Sequence, residues 1–337
     1  MIATNDLTTK VADQSRLENG VQPTSTALCA SRALVIIPGS VNYFYNVEGR
    51  RLAEALLNLG CQVDVCTLDS FPDQPYDWCF LLNIYEIDFA FSNRSAFLSR
   101  INKLKHNCAQ VVPTLLEAVQ SKWFQDSYEL LAETDLANIL DMGFEDQRSS
   151  LPESAKRAYG FLFNGLTESE RRMALSDFKA ESRPIPWTFV GQATAERLTL
   201  VERLVLDYDP AGFVYLIRHV PYTEDGPHLR ESQLEQVLQR TRYKVWCSHH
   251  PYNYLESIRF RLALLTGCVP IKINLRSQKI DNSTPFSALI MEENDCIERI
   301  RSLDFQTARR QFVDEFCALP SLEASVLGLL SQWGKQS

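Results

Sequence analysis

Short apolar runs alternate with amphipathic stretches along the first part of the chain. Residues 33–37 form a β-branched apolar run that ends at Pro38, which is typical of a buried parallel strand. Apolar residues then recur at helical spacing over 52–59, Gly60 follows as a C-cap, and residues 61–66 predict a second strand. A strand, a helix and a strand in this order form a βαβ unit, whose crossover requires a parallel sheet.

The same alternation continues through the first half of the chain. Further strands are predicted at 78–82, 109–112 and 158–163, and helices at 96–104 and around 123–132. Pro113 is expected to end the strand before it, and the rest of 114–150 gives no clear pattern. Thr167 and Glu170 form a capping box, which predicts the start of another helix.

A proline-containing segment divides the chain into two α/β halves. Residues 179–186 carry two prolines and mixed charge and predict a linker, while the polar residues 1–31 predict a disordered leader. Strands are predicted after the linker at 187–190, 213–217, 243–247 and 268–273, with helices between them. Two consecutive doubly wound units predict an α/β fold of two Rossmann-like domains, 32–180 and 187–337, that face a cleft.

Charge and apolar content limit the partners that we expect. The net charge is −8, with −7 in residues 1–184 and −1 in residues 185–337. Because nucleic acids and anionic membranes attract clustered cations, this acidic chain predicts no nucleic-acid partner. No apolar run is long enough for a membrane span, so none is predicted. The less acidic second half is the better place for an anionic ligand.

The cysteines indicate the compartment. Nine cysteines are scattered along the chain, with no CxxC pair and no cluster of cysteine and histidine. This spacing favours buried thiols in a reducing compartment over disulfides or zinc. We therefore expect a cytoplasmic protein.

The most specific pattern lies between residues 252 and 273, where a loop leads into a predicted helix and then a strand. Free backbone N–H groups at the start of such a helix favour phosphate oxygens. Arg259, in the first turn, can add a two-point contact to a diphosphate. An ion pair with Glu256 is the purely structural alternative for this arginine.

This segment resembles the donor site of a known enzyme superfamily. The matching residues are Ser257, Arg259, Phe260, Ala263, Gly267, Cys268, Val269 and Pro270. They resemble the donor-site segment of GT-B glycosyltransferases, especially exostosin-type and spore-maturation-type members. Pro285, Phe286 and the acidic residues 292–295 extend the resemblance over residues 187–310, whereas residues 33–180 share only the architecture. The resemblance implies a nucleotide-sugar site in the second domain.

The resemblance and the predicted strand ends together give a set of candidate donor-binding residues. They are Gly191, Arg197, Arg218, His219, His249, His250, Asn253, Tyr254, Glu256, Ser257 and Arg259. Ligands of α/β proteins bind at the carboxyl ends of strands, where several of these residues lie. His249 and His250 point to opposite sides of an extended chain, so we expect them to share no metal ion. A surface position is the alternative for Arg197.

One feature of the superfamily is missing from this chain. Retaining GT-B enzymes commonly carry two glutamates separated by seven residues, and the matching positions here are Tyr254 and Leu262. Glu256 could replace the missing ribose-binding carboxylate only if the loop is shifted. This departure favours an inverting reaction and leaves an inactive relative of the enzymes as an alternative.

The loop after the first strand and an acid after a later strand are the candidates for the acceptor side. The candidate acceptor-binding residues are Gly39, Ser40, Asn42, Tyr43 and Asn46. Their polar and aromatic side chains suit contacts to a sugar, although an ordinary aromatic turn is the alternative. Glu86, after the strand at 78–82, is the predicted general base, with a solvated loop acid as the alternative.

The sequence therefore predicts a glycosyltransferase that moves a sugar from a nucleotide-sugar donor to an unknown acceptor, which could be a glycan, lipid, small molecule or protein. We expect it to be inverting and metal-independent and to use no cofactor. The alternative is a catalytically inactive GT-B-fold binding or assembly protein. A nicotinamide-dependent oxidoreductase is disfavoured, because the turn after the first strand lacks the glycine-rich fingerprint.

Overall fold

Two parallel β-sheets, each covered by helices, form the protein. The computed structural model describes residues 31–39, 43–175, 183–217, 229–248, 254–275 and 285–333, and the side chain of Tyr43 is not included. The predicted leader lies outside these residues except for Ser31, and so do residues 179–182 of the predicted linker.

The first sheet contains six strands among the described residues, all parallel, in the order β2-β1-β3-β4-β5-β6. The strands are β1 (Arg32–Ile36), β2 (Gln62–Cys66), β3 (Tyr76–Leu82), β4 (Cys108–Leu115), β5 (Ile139–Gly143) and β6 (Tyr159–Phe163). Its helices are α1 (Tyr43–Asn58), α2 (Ile84–Phe89), α3 (Arg94–Asn107), α4 (Lys122–Thr134), α5 (Glu153–Lys156) and α6 (Glu168–Ala174). Apolar residues of α1 pack on one face of the sheet and those of α3 and α4 on the other.

Side-chain caps fix where several of these helices begin. The side chains of Asn93 and Ser121 accept hydrogen bonds from backbone N–H groups in the first turns of α3 and α4. The predicted capping box of Thr167 and Glu170 is present at the start of α6. These caps satisfy N–H groups that have no partner inside the helix.

The second sheet contains five described strands, again all parallel, in the order β11-β10-β9-β7-β8. The strands are β7 (Ile185–Gln192), β8 (Phe213–Ile217), β9 (Thr241–Trp246), β10 (Val269–Asn274) and β11 (Ile290–Glu292). The remaining helices are α7 (Ala195–Arg203), α8 (Glu231–Gln239), α9 (Ser257–Thr266), α10 (Cys296–Ser302), α11 (Phe305–Ala318) and α12 (Leu322–Trp333). The two doubly wound sheets confirm the predicted fold class.

Helix α12 returns to the first sheet after the second sheet is complete. Its buried residues Leu322, Val326 and Leu329 belong to the same apolar cluster as α1 and the facing side of the first sheet. Trp333 at its end stacks on Trp78 of β3, with ring centroids 5.8 Å apart. The domain limits 32–180 and 187–337 stay a prediction, and this helix is a feature that the sequence pattern did not indicate.

The two halves are also joined by an aromatic cluster. Phe144, directly after β5, lies among the rings of Phe163 from the first half and of Phe260, Phe286 and Phe316 from the second, at centroid distances of 5.5 to 5.8 Å. Phe144 is 5% exposed and belongs to the core of the second sheet. Burial of this ring therefore stabilises the contact between the halves.

A buried ionic cluster lies at the same interface. Arg51 of α1 and Arg261 of α9 each contact both Glu48 of α1 and Glu170 of α6. Next to them, Asn164 donates a hydrogen bond from Nδ2 to Oγ of Ser257 at 2.8 Å. The positive charges lower the pKa of Glu170 to about 2, against the effect of its burial. Two arginines and two glutamates thus balance one another where the halves meet.

Three prolines lie inside described strands, against the usual preference: Pro113 in β4, Pro186 in β7 and Pro270 in β10. Pro113 was expected to end a strand, but β4 continues through it to Leu115. Since β4 pairs with β5 only from Thr114 onward, the missing N–H of Pro113 interrupts no hydrogen bond to β5. Pro186 lies in β7, whose pairing with β8 likewise begins only at Thr188.

No helix in the described part of the chain is long and apolar enough to cross a membrane.

Candidate active site

The order of strands in the first sheet opens a crevice at its carboxyl edge. β1 and β3 are neighbours, but the strand that follows β1 lies on one side of this pair and the strand that follows β3 lies on the other. Ligands of α/β proteins bind at the carboxyl ends of two such strands. Gly39 follows β1 with φ of 66°, and its N–H donates to Oδ1 of Asn46 at 3.1 Å. Asn83 follows β3 and caps α2, which carries Glu86 in its first turn.

Acidic side chains collect at this edge. Glu117 follows β4, and its carboxylate accepts a hydrogen bond from Oη of Tyr45 at 2.7 Å. Burial, together with the charges of Glu256 and Glu86, raises the pKa of Glu117 to about 7, against the lowering effect of the hydrogen bond from Tyr45. Asp141 lies in β5, and burial raises its pKa to about 7 as well. These groups are close enough for their charges to act on one another.

The second sheet has its own crevice, between β7 and β9. Arg197, in the first turn of α7, spans it: the guanidinium donates to the carbonyl oxygens of Gln192 at 3.0 Å and Cys247 at 2.5 Å. A Cβ atom on Gly191 would lie 3.1 Å from Nη1 of Arg197, so the glycine leaves room for the guanidinium. Arg197 is 2% exposed, so it is a buried link between two strand ends and not a surface side chain.

Further cations lie beside this crevice. The guanidinium of Arg259 lies 5.2 Å from the ring centroid of Trp246, and Nζ of Lys272 lies 5.8 Å from the same centroid. Arg259 also forms the ion pair with Glu256 that the sequence suggested as its structural role. Burial lowers the pKa of Lys272 to about 8 and that of Lys244 to about 7. A positively charged patch thus lies at the end of β9 and β10.

The segment before α9 brings the two edges together. Tyr254 lies beside Gly143 at the end of β5, and burial raises its pKa well above that of a free tyrosine, with the charges of Asp141 and Glu117 adding to the effect. Glu256 acts electrostatically on Glu117 in the first half and on Lys272 in the second. Glu256 therefore lies within electrostatic range of both the acidic edge and the cationic edge.

The structure describes only part of the predicted site. Six predicted residues lie at the carboxyl edge of the second sheet or on the segment that joins it to the first sheet: Gly191, Arg197, Tyr254, Glu256, Ser257 and Arg259. Three more lie at the carboxyl edge of the first sheet: Gly39, Asn46 and Glu86. Ser257 is bonded to Asn164 at the interface and is 3% exposed. The predicted residues Ser40, Asn42, Arg218, His219, His249, His250 and Asn253 lie outside the described residues, as does the side chain of Tyr43.

Three residues of the site were missed from the sequence: Glu117, Asp141 and Lys272. Glu117 follows β4 by two residues, but the expected stop at Pro113 hid its place at the strand end. Asp141 lies in β5, a strand that was not predicted. The available signal was a charged residue inside a short apolar run, which indicates a buried and specifically held side chain.

Among the described residues, no group of three or more histidine, cysteine, aspartate or glutamate side chains is placed to hold a metal ion.

Comparison with known proteins gives structural matches only. No protein-family model and no curated protein matches the chain. An alpha-glucosyltransferase solved with UDP and a 13-mer DNA containing a HMU base is similar, with a TM-score of 0.63, 11% identity and coverage of 90% of this chain and 99% of that chain. An alpha-glucosyltransferase solved with UDP-glucose and DNA containing an abasic site has a TM-score of 0.57 and 12% identity, covering 86% of this chain and 95% of that chain. At such identity the likeness shows the fold alone, an α/β fold with parallel sheets that these glycosyltransferases share.

The prediction that excluded a nucleic-acid partner is wrong. The similar alpha-glucosyltransferases were solved in complex with DNA, so a nucleic acid is compatible with this fold. Net charge was a poor criterion, because surface charges are screened beyond about 8 Å at physiological salt and the local distribution decides binding.

Proposed function

We propose that this protein is a glycosyltransferase that uses a nucleoside-diphosphate sugar. The single observation that carries the proposal is that a cationic sheet edge lies close to an acidic one, in a fold that glycosyltransferases have. Transfer of a sugar needs both features, since a diphosphate leaves with negative charge while the acceptor hydroxyl loses a proton. UDP is the first nucleotide to test, because the similar alpha-glucosyltransferases were solved with it.

The cationic edge is proposed to hold the diphosphate. Arg259 is the main candidate, because its guanidinium is only partly buried and can form two parallel hydrogen bonds to phosphate oxygens. Arg197 is proposed to act by holding the ends of β7 and β9 in place. Lys272, 1% exposed, adds positive charge behind them. This part of the proposal includes no metal ion, and metal independence stays a prediction.

The acidic edge is proposed to hold the catalytic base. Glu86 was the sequence candidate, and Glu117 lies close enough for the two charges to interact. Because the pKa of Glu117 is raised to about 7, its carboxylate can accept a proton near neutral pH, which suits a general base. In an inverting displacement the acceptor oxygen bonds to the anomeric carbon, the bond to the diphosphate breaks, and Glu117 takes the hydroxyl proton.

The acceptor belongs to the proposal only as a class to be tested. The neighbours' DNA makes DNA one acceptor to examine beside glycans, lipids, small molecules and proteins. Binding of duplex DNA with and without HMU, followed as fluorescence anisotropy at several salt concentrations, distinguishes specific binding from general attraction to phosphates.

A ligand screen followed by variants tests the function. Thermal shift with UDP, GDP, CMP, TDP and NAD should give a rise of several degrees with one nucleoside diphosphate at saturation. Arg259→Ala should remove that rise, whereas Arg242→Ala, an exposed arginine on β9, should keep it. A rise with NAD alone, or an unchanged rise in Arg259→Ala, would contradict the proposal or its donor site respectively.

Turnover then separates an enzyme from an inactive relative. With the identified donor, release of the nucleoside diphosphate should continue in EDTA and fall at least a hundredfold in Glu117→Gln. The same substitution at Glu86 shows whether the sequence candidate is the base instead. Nucleotide binding without turnover on any acceptor class would support the alternative, a catalytically inactive binding or assembly protein.

A further inference from the structure

Two buried polar atoms near the end of β5 lack partners. Asp141 is fully buried, and its Oδ2 accepts hydrogen bonds from Oη of Tyr159 at 2.6 Å and Nε2 of Gln147 at 3.0 Å. Its other oxygen, Oδ1, has no hydrogen-bond partner among the described residues. The same is true of Oη of Tyr254, whose side chain is 5% exposed. Such atoms are costly to bury unpaired, so each needs an explanation.

Both atoms border one small space above Gly143. A Cβ atom on Gly143 would lie 3.5 Å from Oη of Tyr254 and 3.7 Å from Oδ1 of Asp141. These are ordinary contact distances, so the glycine leaves a volume that an alanine methyl group would fill without a clash. We call the space bordered by Asp141, Gly143 and Tyr254 the Gly143 pocket. Tyr254 comes from the second half and the other two residues from the first.

The chemistry of the Gly143 pocket selects a neutral hydroxyl group. Asp141 Oδ1 can only accept a hydrogen bond when ionised, while the tyrosine hydroxyl can donate or accept. A hydroxyl group can donate to the first and accept from the second. A phosphate would be repelled, because the acidic groups Glu117 and Glu256 also act on Tyr254. The diphosphate is therefore expected at the cationic edge and not here.

We propose that the Gly143 pocket binds a hydroxyl group of the transferred sugar and so determines which donor is accepted. This inference rests on the proposed function, and it assigns the sugar to a site bordered by both halves of the protein. Tyr159 and Gln147 are positioning residues, because they hold Oδ2 of Asp141 and leave Oδ1 directed to the ligand.

Calorimetric titration of the full chain tests this assignment with UDP, UDP-glucose, UDP-galactose and UDP-N-acetylglucosamine. The wild-type protein should bind at least one sugar nucleotide more tightly than UDP. Tyr254→Phe and Gly143→Ala should each raise the Kd for that sugar nucleotide about tenfold, as expected for one lost hydrogen bond. The Kd for UDP should stay within about twofold of the wild-type value. The matched controls are Tyr243→Phe, which loses a hydrogen bond to Leu303, and Gly328→Ala, with open space around it.

The outcomes separate this inference from the function on which it rests. If the wild-type protein binds neither UDP nor any of the three sugar nucleotides, the proposed use of UDP-sugars fails. If it binds UDP but none of the sugars more tightly, the Gly143 pocket does not bind the sugar. Equal weakening of UDP and the sugar nucleotide in both pocket variants would also overturn the inference. Because Tyr254→Phe removes a hydroxyl without a partner, it should fold at least as stably as the wild type, which circular dichroism verifies.

Discussion

The buried carboxyl group of Asp141 makes the free energy of unfolding depend on pH in a predictable direction. Its pKa is raised from 3.8 to about 7 by burial, so between these values the folded protein holds a proton that the unfolded chain releases. The contribution to stability is therefore complete below pH 3.8 and is lost as the pH rises through 7. Asp141→Asn removes the titration, while the amide oxygen can still accept from Tyr159 and Gln147.

The size of the effect follows from the pKa values. Each pKa unit corresponds to about 1.4 kcal/mol. Above pH 7, the free energy of unfolding of Asp141→Asn should therefore exceed that of the wild type by up to about 4 kcal/mol. The difference should shrink steadily toward pH 5 and approach zero near pH 4. Glu117 titrates in both proteins, but its pKa should be lower in the variant, because the charge of Asp141 helps to raise it.

Urea unfolding between pH 5 and pH 8, followed by tryptophan fluorescence, measures the difference directly. Asp135→Asn is a suitable control, because the side chain of Asp135 is 94% exposed and its pKa is lowered from an already acidic value. That control should show no pH-dependent difference in this range. A constant difference for Asp141→Asn, or a variant less stable than the wild type at pH 8, would refute the reasoning. The expected result would mean that the protein keeps a ligand-binding carboxyl group that lowers its free energy of unfolding.

Three further predictions concern residues that hold the site in place. Gly191→Ala forces Arg197 to move and should cost about 1–3 kcal/mol of unfolding free energy and weaken nucleotide binding, whereas Gly328→Ala should do neither; thermal unfolding and titration check this. Glu170→Gln breaks the buried ionic cluster and should lower the free energy of unfolding by about 3–5 kcal/mol at pH 7. The stability that Glu170 contributes to the wild type above pH 4.5 should be lost as the pH falls toward 2. Urea unfolding between pH 2 and pH 7 measures both effects, and equal stability of the two proteins at pH 7 would contradict the prediction. Trp333→Ala removes the stacking on Trp78 and should cost about 2 kcal/mol with unchanged nucleotide affinity.

The sequence predicts the alternation of strands and helices well where both elements are regular. Apolar β-branched runs such as 33–37 and 213–217 correspond to strands, and the spacing around Leu52 to a helix, because burial on a sheet imposes these periods. The pattern failed at β5, where Asp141 interrupts a short apolar run. A buried carboxyl group is held by its partners in space, and neither Tyr159 nor Gln147 is recognisable as such a partner from spacing alone.

The candidate site was predictable only at its strand ends. Gly191 and Arg197 were found because the ends of parallel strands are common ligand positions, but the buried link that Arg197 makes to Cys247 depends on the strand order, which one sequence does not give. Glu117 and Lys272 were missed for a similar reason. Glu117 and Lys272 became candidates because each lies toward the other half of the protein. The contact between the halves is stabilised by Phe144 and the ionic cluster.

The return of α12 to the first sheet has a consequence for synthesis on the ribosome. One face of the first sheet is covered by α1 and α12 together, and more than 150 residues separate β6 from the start of α12 along the chain. A nascent chain that has emerged as far as β6 therefore exposes apolar surface around Trp78 until the whole second sheet has been translated. Chaperones that bind exposed apolar segments would have their longest opportunity there. A fragment ending near residue 180 should need α12 supplied as a fused or added peptide to become soluble.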